Sequence, residues 1–324
     1  MDDHPNSYLS DVRNVIRGLC MGCADVVPGV SGGTVALILG IYERLVTAIS
    51  HVDGTAIQHL GQRDWKQLAK HVDLRFMVAL GGGLVSGVLG MTLVVGVLLN
   101  NQTTRSLTFA VFFGAIFASA ILVARLVQPA SRMQTIRCIA LGVIGAIFAY
   151  WVSALHIASA TGPPSHAYVF VSGCIAICAM ILPGISGAMI LLVLGVYEHL
   201  TEIPRNFLAG KHIAEGILTI AVFGAGCLIS LVLFSKLLRW LLSRHHTTTM
   251  ALLCGFMFGA LRKLWPFQHD RTPEIEKFKE KTFDVFMPQQ FDGPTIAPIA
   301  AALIAGAIVF AVDRWTRQTS GESQ

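Results

Sequence analysis

A twenty-residue segment occurs twice in this chain, and the second copy follows the first at a constant offset of 155 residues. Residues 26–45 read VVPGVSGGTVALILGIYERL, and residues 181–200 read ILPGISGAMILLVLGVYEHL. Ten of the twenty positions are identical, and most of the others exchange one apolar residue for another. A gapless repeat this rich in Gly, Pro, Ser and Glu indicates a duplicated site rather than duplicated packing. In a membrane protein, apolar segments interrupted by Gly and Pro at corresponding positions of two halves point to a transport site.

The composition of the chain is that of a membrane protein. Its mean hydropathy is +0.64 and only 13% of its residues are charged, against roughly 25% in soluble domains. Five apolar stretches with few or no charges approach the ~20 residues that a membrane-spanning helix needs. They are residues 76–99, 106–124, 138–155, 217–235 and 294–312. A large soluble core would need polar helix faces, and the sequence has almost no polar residues to supply them.

These observations predict an all-α polytopic membrane protein built from two inverted-topology repeats. Each repeat has a broken or re-entrant helical hairpin that carries PG(V/I)SG, followed by about three spanning helices. The first repeat covers 1–155, with its hairpin over 12–49 and spans near 76–99, 106–126 and 138–155. The second covers 156–324, with its hairpin over 167–203, spans near 215–240, 248–265 and 294–312, and a polar extramembrane loop over 266–293. Three crossings in each half are an odd number, so the second half is expected to be inverted relative to the first.

The distribution of basic residues predicts the orientation of this arrangement. With the N-terminus inside, fifteen of the 24 Lys and Arg residues fall on the inner side. Six of the other nine lie in residues 261–293, where Asp and Glu are interleaved with them. The positive-inside bias therefore favours cytoplasmic N- and C-termini.

The repeated motif has the composition of an anion site. Pro28 is expected to end one helix, and the glycines after it permit backbone angles and close approaches that side chains forbid. A helix broken at membrane depth exposes N–H groups that lipid cannot satisfy, and together with hydroxyls they suit phosphate or carboxylate. The alternative is a kink that only lets helices pack closely. The candidate phosphate-binding residues are Gly29, Ser31, Gly32, Gly33, Thr34, Gly184, Ser186 and Gly187.

Ionisable residues near the motifs are candidates for coupling, because charged groups at membrane depth mark ion or proton paths. Asp25 precedes Pro28 by three residues, and its counterpart in the second copy is Met180. It would carry a coupling proton or cation, or else cap the broken helix. Glu43 and Glu198 each follow a Tyr at the expected end of the resumed helix, where an interfacial position would explain them equally well.

Arg17 lies about two helical turns before Asp25, and it would serve either as a phosphate partner or as a positive-inside anchor. The seven cysteines fall almost wholly in apolar segments without ligands at zinc spacing, so we expect small buried hydrophobic residues and no metal site. No GxxxxGK loop is present, and energy would have to come from an ion gradient or the membrane potential. We therefore expect no cofactor beyond a coupling proton or sodium ion.

The run GLCMGCADVVPGVSGGTVALILGIYERL at 18–45, together with its second copy, resembles the PopT-type polyprenyl-phosphate transporter family. The resemblance covers essentially the whole chain. It implies a transporter, not an enzyme, with two re-entrant hairpins. It also implies translocation of undecaprenyl phosphate from the outer to the cytoplasmic leaflet of the bacterial inner membrane, which recycles the carrier for peptidoglycan and other envelope polymers. The implied partners are the polyprenyl-phosphate lipid and membrane lipids, without nucleic acid, and a homo-oligomer is compatible with the sequence.

Three features leave alternatives open. The second copy has Ala188 and Met189 where the first has Gly33 and Thr34, so the two hairpins need not bind phosphate equally. A secondary transporter of a small anion, phosphate or carboxylate, would use the same motif. A membrane lipid phosphatase is a third reading, because PPSH at 163–166 resembles the start of a phosphatase motif, but no downstream Ser-Arg with His and Asp follows at suitable spacing.

Overall fold

The computed structural model describes residues 8–26, 31–100, 102–155, 164–208, 213–272, 281, 283–288, 290 and 292–319. Within these ranges the regular secondary structure is helical apart from one short pair of strands. The first half contains α1 (Tyr8–Val26), α2 (Gly32–Ile38), α3 (Tyr42–Ser50), α4 (Gly54–Gly61), α5 (Trp65–His71), α6 (Leu74–Asn100), α7 (Gln102–Leu126) and α8 (Arg132–Ala154).

The second half repeats much of this order. It contains α9 (His166–Ile181), α10 (Gly187–Val193), α11 (Tyr197–Leu208), α12 (Ile213–Arg244), α13 (His246–Ala260), a 3-10 turn (Leu261–Leu264) and α14 (Gly293–Thr319). Between that turn and α14, strands β1 (Gln268–Asp270) and β2 (Phe283–Val285) pair antiparallel. We expected only a polar loop at 266–293. The strands provide backbone hydrogen-bond partners there, and the indole N–H of Trp265 adds a bond of 2.9 Å to the carbonyl of Phe286.

Among the residues that the structure describes, four helices are long and apolar enough to cross a membrane, namely α6, α7, α8 and α12. Two bent pairs, α2 with α3 and α10 with α11, raise the number to six if each pair counts as one span. The span expected at 248–265 is instead the 15-residue α13, shorter than the ~20 residues of a full crossing. Ten of its residues are buried, because α13 packs between α7 and α8 and has little surface to present to lipid.

A glycine in the left-handed conformation ends each resumed helix. Gly40 follows α2 with φ +66° and Gly195 follows α10 with φ +68°, a conformation that commonly terminates helices. The chain bends there by 119° in the first copy and by 109° in the second. The expectation that the GxYE sequence lies at the end of the resumed helix is therefore wrong: Tyr42 and Tyr197 begin α3 and α11.

Helix pairs pack through small residues. α1 packs along α6 and α9 along α12, whereas α7 pairs with α14 and α8 with α13. A Cβ atom added to Gly83 would overlap the carbonyl of Val15, and one added to Gly114 would overlap the carbonyl of Ala302. Small residues at such contacts let helix backbones approach closely in membranes. Among the cysteines, Cys20 is exposed on α1 and so departs from the expected burial.

Candidate functional site

The two repeated motifs lie against each other. The Thr34 hydroxyl oxygen accepts a 2.7 Å hydrogen bond from the N–H of Gly184. The Ser31 hydroxyl donates to the carbonyl of Met180 at 3.4 Å. Since the Thr34 side chain has no exposed surface, this contact is part of the protein interior, and the two breaks form one continuous region.

Tyr42 is a second link between the halves that the sequence did not single out. Its hydroxyl donates a 3.1 Å bond to the carbonyl of Ile181, and its side chain is almost completely buried. Ile181 ends α9, so its carbonyl has no partner further along that helix. The identity of Tyr at both copies was the available signal, but only the fold shows which carbonyl the hydroxyl meets.

In the first motif, the backbone groups at the start of α2 are satisfied by the protein itself. The N–H of Gly32 donates to a carboxylate oxygen of Asp25 at 2.5 Å. The N–H of Gly33 donates to the Ser31 hydroxyl oxygen at 3.2 Å. The N–H of Thr34 donates to the carbonyl of Ser31 at 2.9 Å. The carboxylate of Asp25 thus occupies the position at which a bound anion would meet this helix.

The second motif lacks these partners. Met180 occupies the position equivalent to Asp25 and offers no carboxylate. Ser186 begins α10 without a side-chain capping bond, and its side chain is partly exposed. Within the part of the chain that the structure describes, no group accepts from the N–H of Gly187 or Ala188. Donors that are bonded in the first motif are therefore unbonded in the second.

The glycines of the motifs are required by close contacts. A Cβ atom on Gly32 would lie 2.6 Å from a carboxylate oxygen of Asp25. One on Gly33 would lie 2.7 Å from the carbonyl oxygen of Ile181, and one on Gly187 would lie 2.9 Å from that of Ala176. Such separations are shorter than van der Waals contact, so a side chain at Gly33 or Gly187 would push backbone segments apart, and one at Gly32 would displace the carboxylate of Asp25.

Gly184 meets both requirements of a motif glycine. Its φ of +85° is unfavourable for other residues. A Cβ atom there would also lie 2.6 Å from the carbonyl oxygen of Phe256 and 2.9 Å from Cβ of Ala260. The second break is therefore packed directly against the C-terminal turns of α13.

The remaining candidates lie away from the breaks or outside the described residues. Glu43 and Glu198 are exposed in the first turns of α3 and α11, and Glu43 accepts a 2.8 Å contact from Nε2 of His246. Arg17 donates to the side chain of Asn14 at 3.1 Å. It precedes Asp25 by eight residues on α1, about 12 Å at 1.5 Å per residue. Gly29 lies outside the described residues, as does Pro28.

A pocket of about 180 Å³ opens between α11 and α12. It is lined by Glu202 and Glu215, with His199 beside them. Two carboxylates make this pocket unfavourable for an anion. Among the described residues, no group of His, Cys, Asp and Glu side chains is arranged to hold a metal ion.

Comparison with known proteins identifies a matching family and two relatives of this chain. A family model described as undecaprenyl phosphate translocase-like matches residues 21–282. A polyprenyl-phosphate transporter of Vibrio cholerae serotype O1 is 35% identical over 265 residues, which are 81% of this chain and 79% of that protein. A polyprenyl-phosphate transporter of Staphylococcus aureus is 28% identical over 264 residues, 78% of this chain and 86% of that protein. No solved structure matches the chain.

Proposed function

The chain belongs to the undecaprenyl phosphate translocase-like family, and from this premise we propose that it moves undecaprenyl phosphate from the outer to the cytoplasmic leaflet of the bacterial inner membrane. The relatives named above are transporters, in agreement with a transporter and not an enzyme. Its apolar helices and these relatives identify a multi-pass membrane protein. Return of the lipid to the inner leaflet would resupply the carrier for peptidoglycan and other cell-wall polymers.

The chemistry of the substrate determines what the protein has to supply. A polyprenyl phosphate has an apolar tail, which stays in lipid, and an anionic head, which is costly to place at membrane depth. A site that satisfies the head alone and opens sideways to lipid is sufficient. Backbone N–H groups and hydroxyls at a helix break provide such a site without a fixed charge.

The observation that carries the proposal is the difference between the two motifs. In the second, the Ser186 hydroxyl and the N–H groups of Gly187 and Ala188 are unbonded within the described residues. In the first, Asp25 already accepts from the N–H of Gly32. We infer that the phosphate binds the second motif in this conformation, and that the first motif becomes available when the Asp25 carboxylate leaves α2.

The packing of the helices supports the proposal that the halves are inverted repeats. α1 on α6 corresponds to α9 on α12, and α7 on α14 corresponds to α13 on α8. The correspondence extends to single residues. Gly114 of α7 lies against the carbonyl of Ala302, and Gly255, which follows it by 141 residues in the corresponding helix α13, lies against the carbonyl of Gly142. Two related halves of opposite orientation would offer one motif to each face of the membrane.

Reconstitution tests the proposal. Vesicles containing the purified chain and labelled undecaprenyl phosphate would be treated with a phosphatase added outside, which reports the lipid remaining in the outer leaflet. We expect protein-dependent movement that Gly187→Leu abolishes, because a Cβ atom there would already lie 2.9 Å from the carbonyl oxygen of Ala176. Gly32→Leu should act likewise through Asp25. Ser186→Ala should raise the lipid concentration that gives half-maximal transport, because the phosphate loses one hydrogen bond worth about 1.5–3 kcal/mol.

Gly90→Leu is the matched control, because no atom lies within 4 Å of a Cβ added there. Competition by inorganic phosphate and by undecaprenol tests whether the protein recognises the phosphate head alone, the apolar tail alone or the whole lipid. Transport of inorganic phosphate without movement of the lipid would replace the proposal with a small-anion transporter. Normal lipid transport by folded Gly187→Leu would refute the assignment of the site.

A further inference from the structure

Two cations follow α13 beside the second break. Ala260, the last residue of α13, lies next to Gly184, since a Cβ atom added to that glycine would be 2.9 Å from the Cβ of Ala260. The 3-10 turn that begins at the next residue contains Arg262 and Lys263. At about 2 Å per residue in a 3-10 helix, the backbone of Lys263 is about 6 Å from that of Ala260. An extended lysine side chain can span this distance.

Lys263 has no counter-charge in the part of the chain that the structure describes. It makes neither an ion pair nor a side-chain hydrogen bond there. Burial, and then the neighbouring charge of Arg262, lowers the pKa of Lys263 below its ordinary value. Two described cations further along this segment are paired: Lys281 bonds Asp270 at 2.7 Å, and Arg271 pairs with Asp284. A partly desolvated ammonium without a carboxylate is costly, and an anion that visits the site would offset that cost.

Arg262 lies at the boundary between protein and lipid. Its guanidinium carbon is 4.6 Å from the ring centroid of Tyr150, which is 53% exposed on α8 beside the 59% exposed Trp151. Exposed Tyr and Trp near the end of a spanning helix are typical of the membrane interface. Val152, two residues after Tyr150 on α8, forms a buried cluster with Ile185 of the second break. Arg262 therefore contacts the lipid-facing side of α8, close to the residue through which α8 packs on the second break.

We propose that Arg262 and Lys263 bind the phosphate group of the lipid as it enters from the outer leaflet. This inference rests on the proposed function and names the residues that receive its substrate. Arg262 meets the phosphate at the membrane surface, where its planar group binds two oxygens at once. Lys263 takes the phosphate next as a point charge, beside the donors of the second motif. Together the two cations balance a phosphate monoester carrying between one and two negative charges.

The test uses Arg262→Gln and Lys263→Gln, with Lys263→Arg as the conservative variant. Arg271→Gln is the matched control, because Arg271 is an exposed cation on the same side that pairs with Asp284. Transport of labelled undecaprenyl phosphate gives half-saturation and maximal rate. Native mass spectrometry with undecaprenyl phosphate and undecaprenol gives the binding preference for the phosphorylated lipid.

We expect the half-saturating lipid concentration to rise about 10- to 100-fold in Lys263→Gln, because one bond between charged partners is lost. The rise should be smaller in Arg262→Gln. Lys263→Arg should restore most of the affinity, and Arg271→Gln should match the original chain. The preference for phosphorylated lipid over undecaprenol should disappear in Lys263→Gln. A variant that merely distorts the fold would instead lose both lipids equally and lower its melting temperature, and that result would overturn the proposal.

Failure of this inference and failure of the proposed function give different results. If the original chain transports the lipid and both Gln variants do so with unchanged half-saturation, the cationic site is refuted and the function stands. If the original chain binds phosphorylated lipid through Lys263 but moves none, the site stands and the function is refuted. Should Lys263→Gln not fold, the comparison of Arg262→Gln with Lys263→Arg decides by the same criteria.

Discussion

Asp25 and Met180 occupy equivalent positions in the two copies, yet only Asp25 accepts a hydrogen bond from the helix that follows its break. The carboxylate has two separable properties, an acceptor atom and a negative charge. Asparagine keeps the acceptor and removes the charge, whereas alanine removes both. Comparison of the two substitutions therefore distinguishes a capping role from a coupling role.

We expect Asp25→Ala to lower the free energy of unfolding by about 1–3 kcal/mol, because the buried N–H of Gly32 loses its acceptor. Asp25→Asn should lose little stability. If Asp25 carries the coupling proton or cation, the Asn variant should bind lipid but no longer respond to an imposed proton or sodium gradient. Unfolding in detergent and transport with and without each gradient measure these effects. An Asn variant that stays fully active and gradient-sensitive would leave Asp25 with the capping role alone.

At the scale of the helices, α1 packs against one face of α6, and a glycine on that face allows the two backbones to come close. Residues 81–83 are three consecutive glycines, but they do not share an environment. A Cβ atom added to Gly83 would overlap the carbonyl of Val15 on α1, whereas one added to Gly81 or Gly82 has no atom within 4 Å. The run of glycines therefore contains one packing position and two open ones.

We expect Gly83→Ala to destabilise the protein by about 1–3 kcal/mol, the usual cost of overpacking, because α1 has to move away from α6. Gly81→Ala and Gly82→Ala should be neutral or stabilising, since alanine favours helix by up to about 1 kcal/mol over glycine. Thermal or denaturant unfolding of the three variants in one detergent gives the comparison. Equal losses in all three would contradict the assignment of the contact to Gly83.

At the scale of the whole molecule, the proposed inverted arrangement of the halves makes a prediction about sidedness. Gln62, between α4 and α5, and Thr201, on α11, are both exposed. In a background without the seven native cysteines, Gln62→Cys should react with a membrane-impermeant maleimide only after the cells are broken open. Thr201→Cys should react in intact cells with a permeable outer membrane. Labelling of both positions from the same side would rule out the inverted topology.

The sequence was sufficient for the long helices but not for the contacts of the site. Uncharged runs of about 20 residues have few alternatives to a spanning helix, so α6, α7, α8 and α12 could be anticipated. The bond between Thr34 and Gly184 joins residues 150 apart and exists only because two hairpins meet. Lys263 could not be singled out, because paired and unpaired cations look alike in a segment of mixed charge. Whether the repeats are inverted stays a prediction.

Ribosomes deliver the two partners of the α7–α14 pair at very different times. After Leu126, the end of α7, synthesis has to reach Gly293 before α14 begins to emerge, about 8 to 33 s at roughly 5–20 residues per second. During that interval the face of α7 around Gly114 has no α14 to pack on and has to be covered by lipid or by the insertion machinery. Chains interrupted before Gly293 would retain this exposed face and become substrates for membrane quality control.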